Sequence, residues 1–112
     1  MKPRFLFLTL CLLGNGVNAI TYSHTSTIDR IGSIQTRSDA DYVMLSGFTS
    51  GGTCPTSDGM VVARFASTDS GNRAYSLALS AKMSGKPIRV AVDDEVKNTE
   101  GSCMVKSIEL SD

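Results

Sequence analysis

A helix that ends at a glycine and gives way within three residues to a strand sets the first limit on how this chain can fold. It lies in "NRAYSLALSAKMSGKPIRVAVDD", residues 72–94. Tyr75, Leu79 and Met83 fall at i, i+4 and i+8, and Ala74, Leu77, Ala78 and Ala81 widen that apolar stripe, as a helix facing a core requires. Asp69 or Ser70 is placed to cap its start. Gly85 can adopt the left-handed conformation that closes a helix, and Pro87 forbids its continuation. From Ile88 the period changes to two, with Ile88, Val90 and Val92 on one face of a strand.

The chain opens with Lys2 and Arg4, an apolar run from Phe5 to Leu13 relieved only by Thr9, and the breaker Gly14–Asn15–Gly16. Val17–Asn18–Ala19 then supplies small or modest residues, so residues 1–19 read as a secretory signal peptide cleaved after Ala19, too short to span a bilayer. The mature chain, residues 20–112, is one small domain of 93 residues out of the 112, with no transmembrane segment. It keeps 9 basic and 11 acidic side chains. That balance, with no basic stretch, argues against nucleic acid as a partner. Cys11 leaves with the leader, and Cys54 and Cys103 remain as an even pair in an exported protein, which reads as one disulfide.

Strands account for the rest. "STIDRIGSIQT" (26–36) is β-branched, but its isoleucines recur every third residue, at 28, 31 and 34. A bulge near Gly32 reconciles that spacing with a strand. "DYVMLSGF" (41–48) and "MVVARFAS" (60–67) are the second and third strands, separated by the loop "TSGGTCPTSDG" (49–59). Ile88–Val92 begins the fourth and "CMVKSIEL" (103–110) is the fifth. The order β-β-β-α-β-β is that of an OB-fold, a mainly β, five-stranded Greek-key barrel with its helix between strands three and four. Closure sets strands three and five side by side and parallel, which brings Cys54 and Cys103 together. An open α+β sheet with the helix on one face uses the same elements but gives no reason for that pairing.

The sequence offers little chemistry. With His24 as the single histidine and both cysteines consumed, no metal site of three or four usual ligands can be built, and no Ser–His–Asp or Cys–His set exists. "DDE" (93–95) reads as a solvated turn, and the glycine-rich loop lacks the lysine and following helix of a phosphate-binding loop. No cofactor is implied. The expectation is a non-enzymatic binding protein, and for an acidic, exported OB barrel the expected ligand is a sugar.

Several short segments resemble the B subunits of bacterial toxins built from one A and five B chains, especially the subtilase-cytotoxin and pertussis-like branch. They are "TYS" (21–23), "GSIQT" (32–36), "DYVML" (41–45), "MVVA" (60–63) and "SGKPIRVAV" (84–92). The resemblance runs from Tyr22 to Val92, or 71 of the 93 mature residues. It implies an OB-fold, a pentameric ring, a catalytic A chain as partner, secretion through the periplasm, and recognition of cell-surface glycans ending in sialic acid. It further implies that Ser23 hydrogen-bonds the sugar carboxylate, and Tyr22 beside it is placed to stack on the sugar ring. Arg30 or Arg37 can strengthen such a site if the fold brings either near. The chain departs from the family where a disulfide usually joins strands two and three; the matching positions are Met44 and Arg64. The aromatic that some relatives carry after "IRV" falls at Ala91 or Val92. Two other expectations use the same fold: a stand-alone secreted or periplasmic module binding a protein, peptide or envelope glycan, and an inhibitor presenting the 49–59 loop.

Overall fold

The computed structural model describes residues 20–111, so the expected leader lies outside the described residues. The elements are β1 (Thr21–Ser26), β2 (Ile28–Gly32), β3 (Tyr42–Leu45), β4 (Thr56–Ser57), β5 (Met60–Val61), β6 (Ala63–Arg64), α1 (Asp69–Ser84), β7 (Ile88–Lys97) and β8 (Cys103–Leu110). Six strands form one mixed sheet in the order β1-β7-β8-β6-β3-β2, and β4-β5 is a separate hairpin. All neighbours in the sheet are antiparallel except β6 and β8, which run parallel with Ala63 opposite Cys103.

Among the described residues the protein is mainly β with one helix, as expected, but the sheet is six-stranded and is not a closed barrel. The difference arises at the first strand, which the isoleucine spacing placed at 26–36. The chain instead forms two strands, β1 and β2, separated by Thr27, and these are the two edges of the sheet. Thr21–Ser26 alternates exposed and half-buried residues, a period of two carried by polar and aromatic side chains rather than aliphatic ones. The phase change lies between Ile28 and Arg30, upstream of Gly32, where the register against β3 shifts. A bulge there disrupts the ladder locally, and Lys82 of α1 donates beside it to the carbonyl oxygens of Ile28 at 3.1 Å and Asp29 at 3.4 Å. Gly32 has a different task. A Cβ on it would come within 2.7 Å of the Tyr42 hydroxyl, so the ring lies on the glycine and would have to shift to admit a side chain there.

Helix α1 ends as its sequence requires, with Gly85 at φ 70° and its N–H directed to the carbonyls of Ala81 and Lys82. Its start is one residue earlier than expected: Thr68 is the cap, its hydroxyl accepting from the Gly71 N–H at 3.1 Å. The buried face also differs. Gly71, Ala78 and Ala81 face the sheet, Tyr75 is half-buried, and Leu79 and Met83 are 41 and 81% exposed. Small residues win because the helix lies close to the chain entering it. A Cβ on Gly71 would sit 1.8 Å from the Ala66 carbonyl oxygen.

The core forms where that face meets the sheet. Ile88, Val90 and Val92 are fully buried, as their alternation predicts, and join Val43, Leu45, Val61 and Phe65. Tyr75 packs edge-on to Phe65, with ring centroids 5.5 Å apart. Cys54 and Cys103 are disulfide-bonded with Cα atoms 5.5 Å apart, and the parallel β6–β8 contact brings them together as expected.

Two outcomes follow. The bridge closes a separation of 49 residues, which contributes about 4 kcal/mol in the chain-entropy model. Cys103→Ser is therefore expected to lower the Tm by more than roughly 15 °C in calorimetry, and neither Cys54 nor Cys103 of the non-reduced protein should alkylate. Gly71→Ala, which in an open helix would stabilise by about 1 kcal/mol, is here expected to destabilise by roughly 1–3 kcal/mol in urea unfolding, because the new methyl overlaps Ala66.

Candidate ligand-binding face

Strand β1 is an edge strand, and its pairing with β7 sets Ser23 opposite Ala91, Thr25 opposite Arg89 and Thr21 opposite Asp93. β7 in turn pairs with β8, placing Ser107 opposite Ala91 and Glu109 opposite Arg89. Side chains alternate across a sheet, so Thr21, Ser23 and Thr25 share one exposed face, with Arg89 and Glu109 beside them.

That face is polar and cross-linked. The Arg89 guanidinium donates to the Ser23 hydroxyl at 3.4 Å and lies 3.8 Å from the Glu109 carboxylate. Further along β1, the Thr21 hydroxyl donates to Asp93 and accepts from the Lys106 ammonium at 3.1 Å, which is also 3.6 Å from Asp93. Between these two groups Ala91 contributes only a methyl. Ser23 thus has a half-exposed cation at its side, and a loosely held one, since an exposed ion pair of this length contributes little.

The opposite face of β1 belongs to the interior. Tyr22 packs against the core, and its ring edge lies under the 49–55 loop, where a Cβ on Gly52 would come within 2.7 Å of Tyr22 Cε1. Gly52 has φ 60°, a conformation that glycine tolerates without strain. His24 stacks on Phe48 with centroids 5.3 Å apart, and its Nε2–H donates to the Ser46 carbonyl at 3.0 Å. Tyr22 and Ser23 are therefore not brought together: consecutive residues of a strand point to opposite sides. Arg30 and Arg37 are engaged elsewhere, with Asp58 at 2.9 Å and Glu100 at 2.6 Å.

The residue that sequence reasoning missed is Arg89. Its outward position is implicit in the Ile88–Val90–Val92 alternation, but its neighbour is set by the pairing of Thr21–Ser26, a strand with no aliphatic signal of its own. The "DDE" acids do not act together. Asp93 holds Thr21 and Lys106, Asp94 is buried, and Glu95 is exposed. Among the described residues no group of three or more His, Cys, Asp or Glu could hold a metal ion, and no helix is long and apolar enough to cross a membrane. Burial, with Asp41 and Tyr42 nearby, pushes the Tyr75 phenol up from its ordinary value.

Comparison with family models, with curated proteins and with solved structures finds no match to this chain.

The two faces of β1 should separate in mutagenesis. Tyr22→Ala is expected to destabilise by at least ~2 kcal/mol, because it empties a packed aromatic site. Ser23→Ala should remain within ~0.5 kcal/mol of the parent. Paired urea melts of the two variants measure both.

Proposed function

We propose that the mature chain is a secreted, non-enzymatic carbohydrate-binding subunit that recognises sialylated host glycans as part of a pentameric, toxin-like assembly carrying a catalytic chain. The observation that carries this reading is the pairing of the exposed Ser23 hydroxyl with the Arg89 guanidinium, 3.4 Å apart on an open sheet face. A sugar carboxylate needs donors held against it, since an anion stripped of water without them is costly to bind. A hydroxyl and a guanidinium side by side supply a neutral donor and a charge-assisted one. Arg89 reaches Ser23 from the neighbouring strand and is restrained on its other side by Glu109 at 3.8 Å, so an incoming carboxylate competes only with a weak exposed pair. Thr25 flanks the pair on β1 and Ser107 lies across Ala91 on β8, giving further hydroxyls for a sugar ring.

Tyr22 in this reading supports the site from beneath and does not stack on the sugar. The OB-fold is part of the proposal. When β1 and β2 are counted as halves of one bent strand, the sheet order becomes first, fourth, fifth, third, second, first, the circular order of an OB barrel broken at Thr27. The exposed Leu79 and Met83 of α1 supply apolar area for contacts between copies in a ring.

The test is a glycan array with the purified mature protein, followed by titration of the best ligand. Ser23→Ala should weaken binding to sialylated glycans ten- to hundredfold per site, the effect of losing about 1.5–3 kcal/mol of hydrogen bonding to a charged group. Arg89→Gln should do the same, and neither should alter oligomer size in light scattering. Avidity across a ring amplifies the loss on a surface. Unchanged binding by both variants, or a parent that binds no glycan, overturns the reading.

A further inference from the structure

Asp94 is the buried charged side chain among the described residues, 8% exposed. Its backbone N–H donates to the Ile20 carbonyl at 3.2 Å, and its Oδ1 accepts from the Ile20 nitrogen at 3.2 Å. These two bonds lie one step beyond Thr21–Asp93, the last registered pair of β1 and β7. The other carboxylate oxygen lies against Gly52, on which the Tyr22 ring edge also packs, and the Asp94 carbonyl accepts from the Thr53 hydroxyl at 3.0 Å. The nearby cations are used elsewhere: Lys97 donates to Thr53 at 2.9 Å, and Lys106 to Thr21. Among the described residues no cation pairs with Asp94, and a carboxylate held out of water without a countercharge is costly.

The nitrogen that faces this carboxylate is the one that cleavage after Ala19 would release. A leader peptidase adds water across the Ala19–Ile20 bond. The C–N bond breaks, the water oxygen stays on the Ala19 side as part of a carboxylate, and the Ile20 nitrogen keeps the electron pair and takes up both water protons. At neutral pH an α-amine of this kind is an ammonium. We propose that Ile20 is the first residue of the mature protein and that its α-ammonium docks on the Asp94 carboxylate, so that removal of the leader creates the missing countercharge and locks β1 onto β7. A neutral amide hydrogen bond then becomes a charge-assisted one. The geometry also fixes the register of cleavage. An N-terminus one residue further upstream carries its charge about 3.3 Å away along the strand, and one residue downstream it leaves Asp94 without the contact.

The full 112-residue chain, expressed for export into an oxidising compartment, supplies the test. The first residue of the processed protein is read by intact-mass and terminal-peptide mass spectrometry, and Ile20 is expected. A second version carries Gly-Ser between Ala19 and Ile20, so that its processed form begins upstream, and a third sample is the normal product selectively acetylated at its α-amine. Both altered forms are expected to melt roughly 4–8 °C below the free Ile20 form, the shift given by about 1 kcal/mol in a domain of this size. In an Asp94→Asn background the difference between the three termini should vanish. The proposal is overturned by a different first residue, by equal Tm values for the free and blocked termini, or by a difference that survives Asp94→Asn. Should Asp94→Asn not fold, the free-against-acetylated comparison in the parent sequence decides.

Discussion

The sheet depends on one narrow joint. β1, β7 and β8 form one antiparallel leaf and β6, β3 and β2 another, and the two leaves meet along a parallel ladder of two residue pairs, Ala63–Cys103 and Arg64–Met104. Parallel ladders are slightly the weaker kind per residue, and two pairs cannot align two leaves unaided. The Cys54–Cys103 bridge lies at the start of that ladder, and the fully buried Val61 and Phe65 lie close on either side of it in sequence. Helix α1 braces the same joint by contacting β8 on one leaf and β2 on the other.

What the sequence made legible were the elements whose signals are local. The alternation Ile88–Val90–Val92 and the Gly85 cap with Pro87 behind it each state their own geometry. The face of the helix was harder to read, because apolar size and burial point in opposite directions there. Gly71 faces inward where the Ala66 backbone comes close and Ala78 and Ala81 are buried with it, while Leu79 and Met83 are left outside. Helical periodicity counts leucine as core and has no means of sensing a carbonyl oxygen 1.8 Å from where a methyl would stand.

The candidate site was half legible for a related reason. Ser23 stood out through a short resemblance, but Arg89 becomes its neighbour only through pairing between positions 66 residues apart. β1 itself was hidden because its alternation is written in threonine, tyrosine, serine and histidine. Tyr22 was legible as an aromatic beside Ser23, but strand alternation turns it to the other side, where it packs against the core. The resulting division of labour is simple. One side of β1 anchors the strand through Tyr22 and His24, and the other is free to present hydroxyls.

The pairing of β1 has a consequence for the order of events during synthesis. Its partners occupy Ile88–Asp93, so the first strand to leave the ribosome waits for nearly the last before it has anywhere to go. The β7–β8 hairpin is local and closes early, whereas β1 must close a loop of some seventy residues. Until it does, β7 shows a bare edge lined by Ile88, Val90 and Val92, the kind of template on which another chain's strand adds. Two half-made molecules meeting at that moment can exchange N-terminal strands, because the donor and the acceptor edge are the same in both. Keeping nascent copies apart until their C-termini are complete is therefore a demand that this topology places on the cell that makes it.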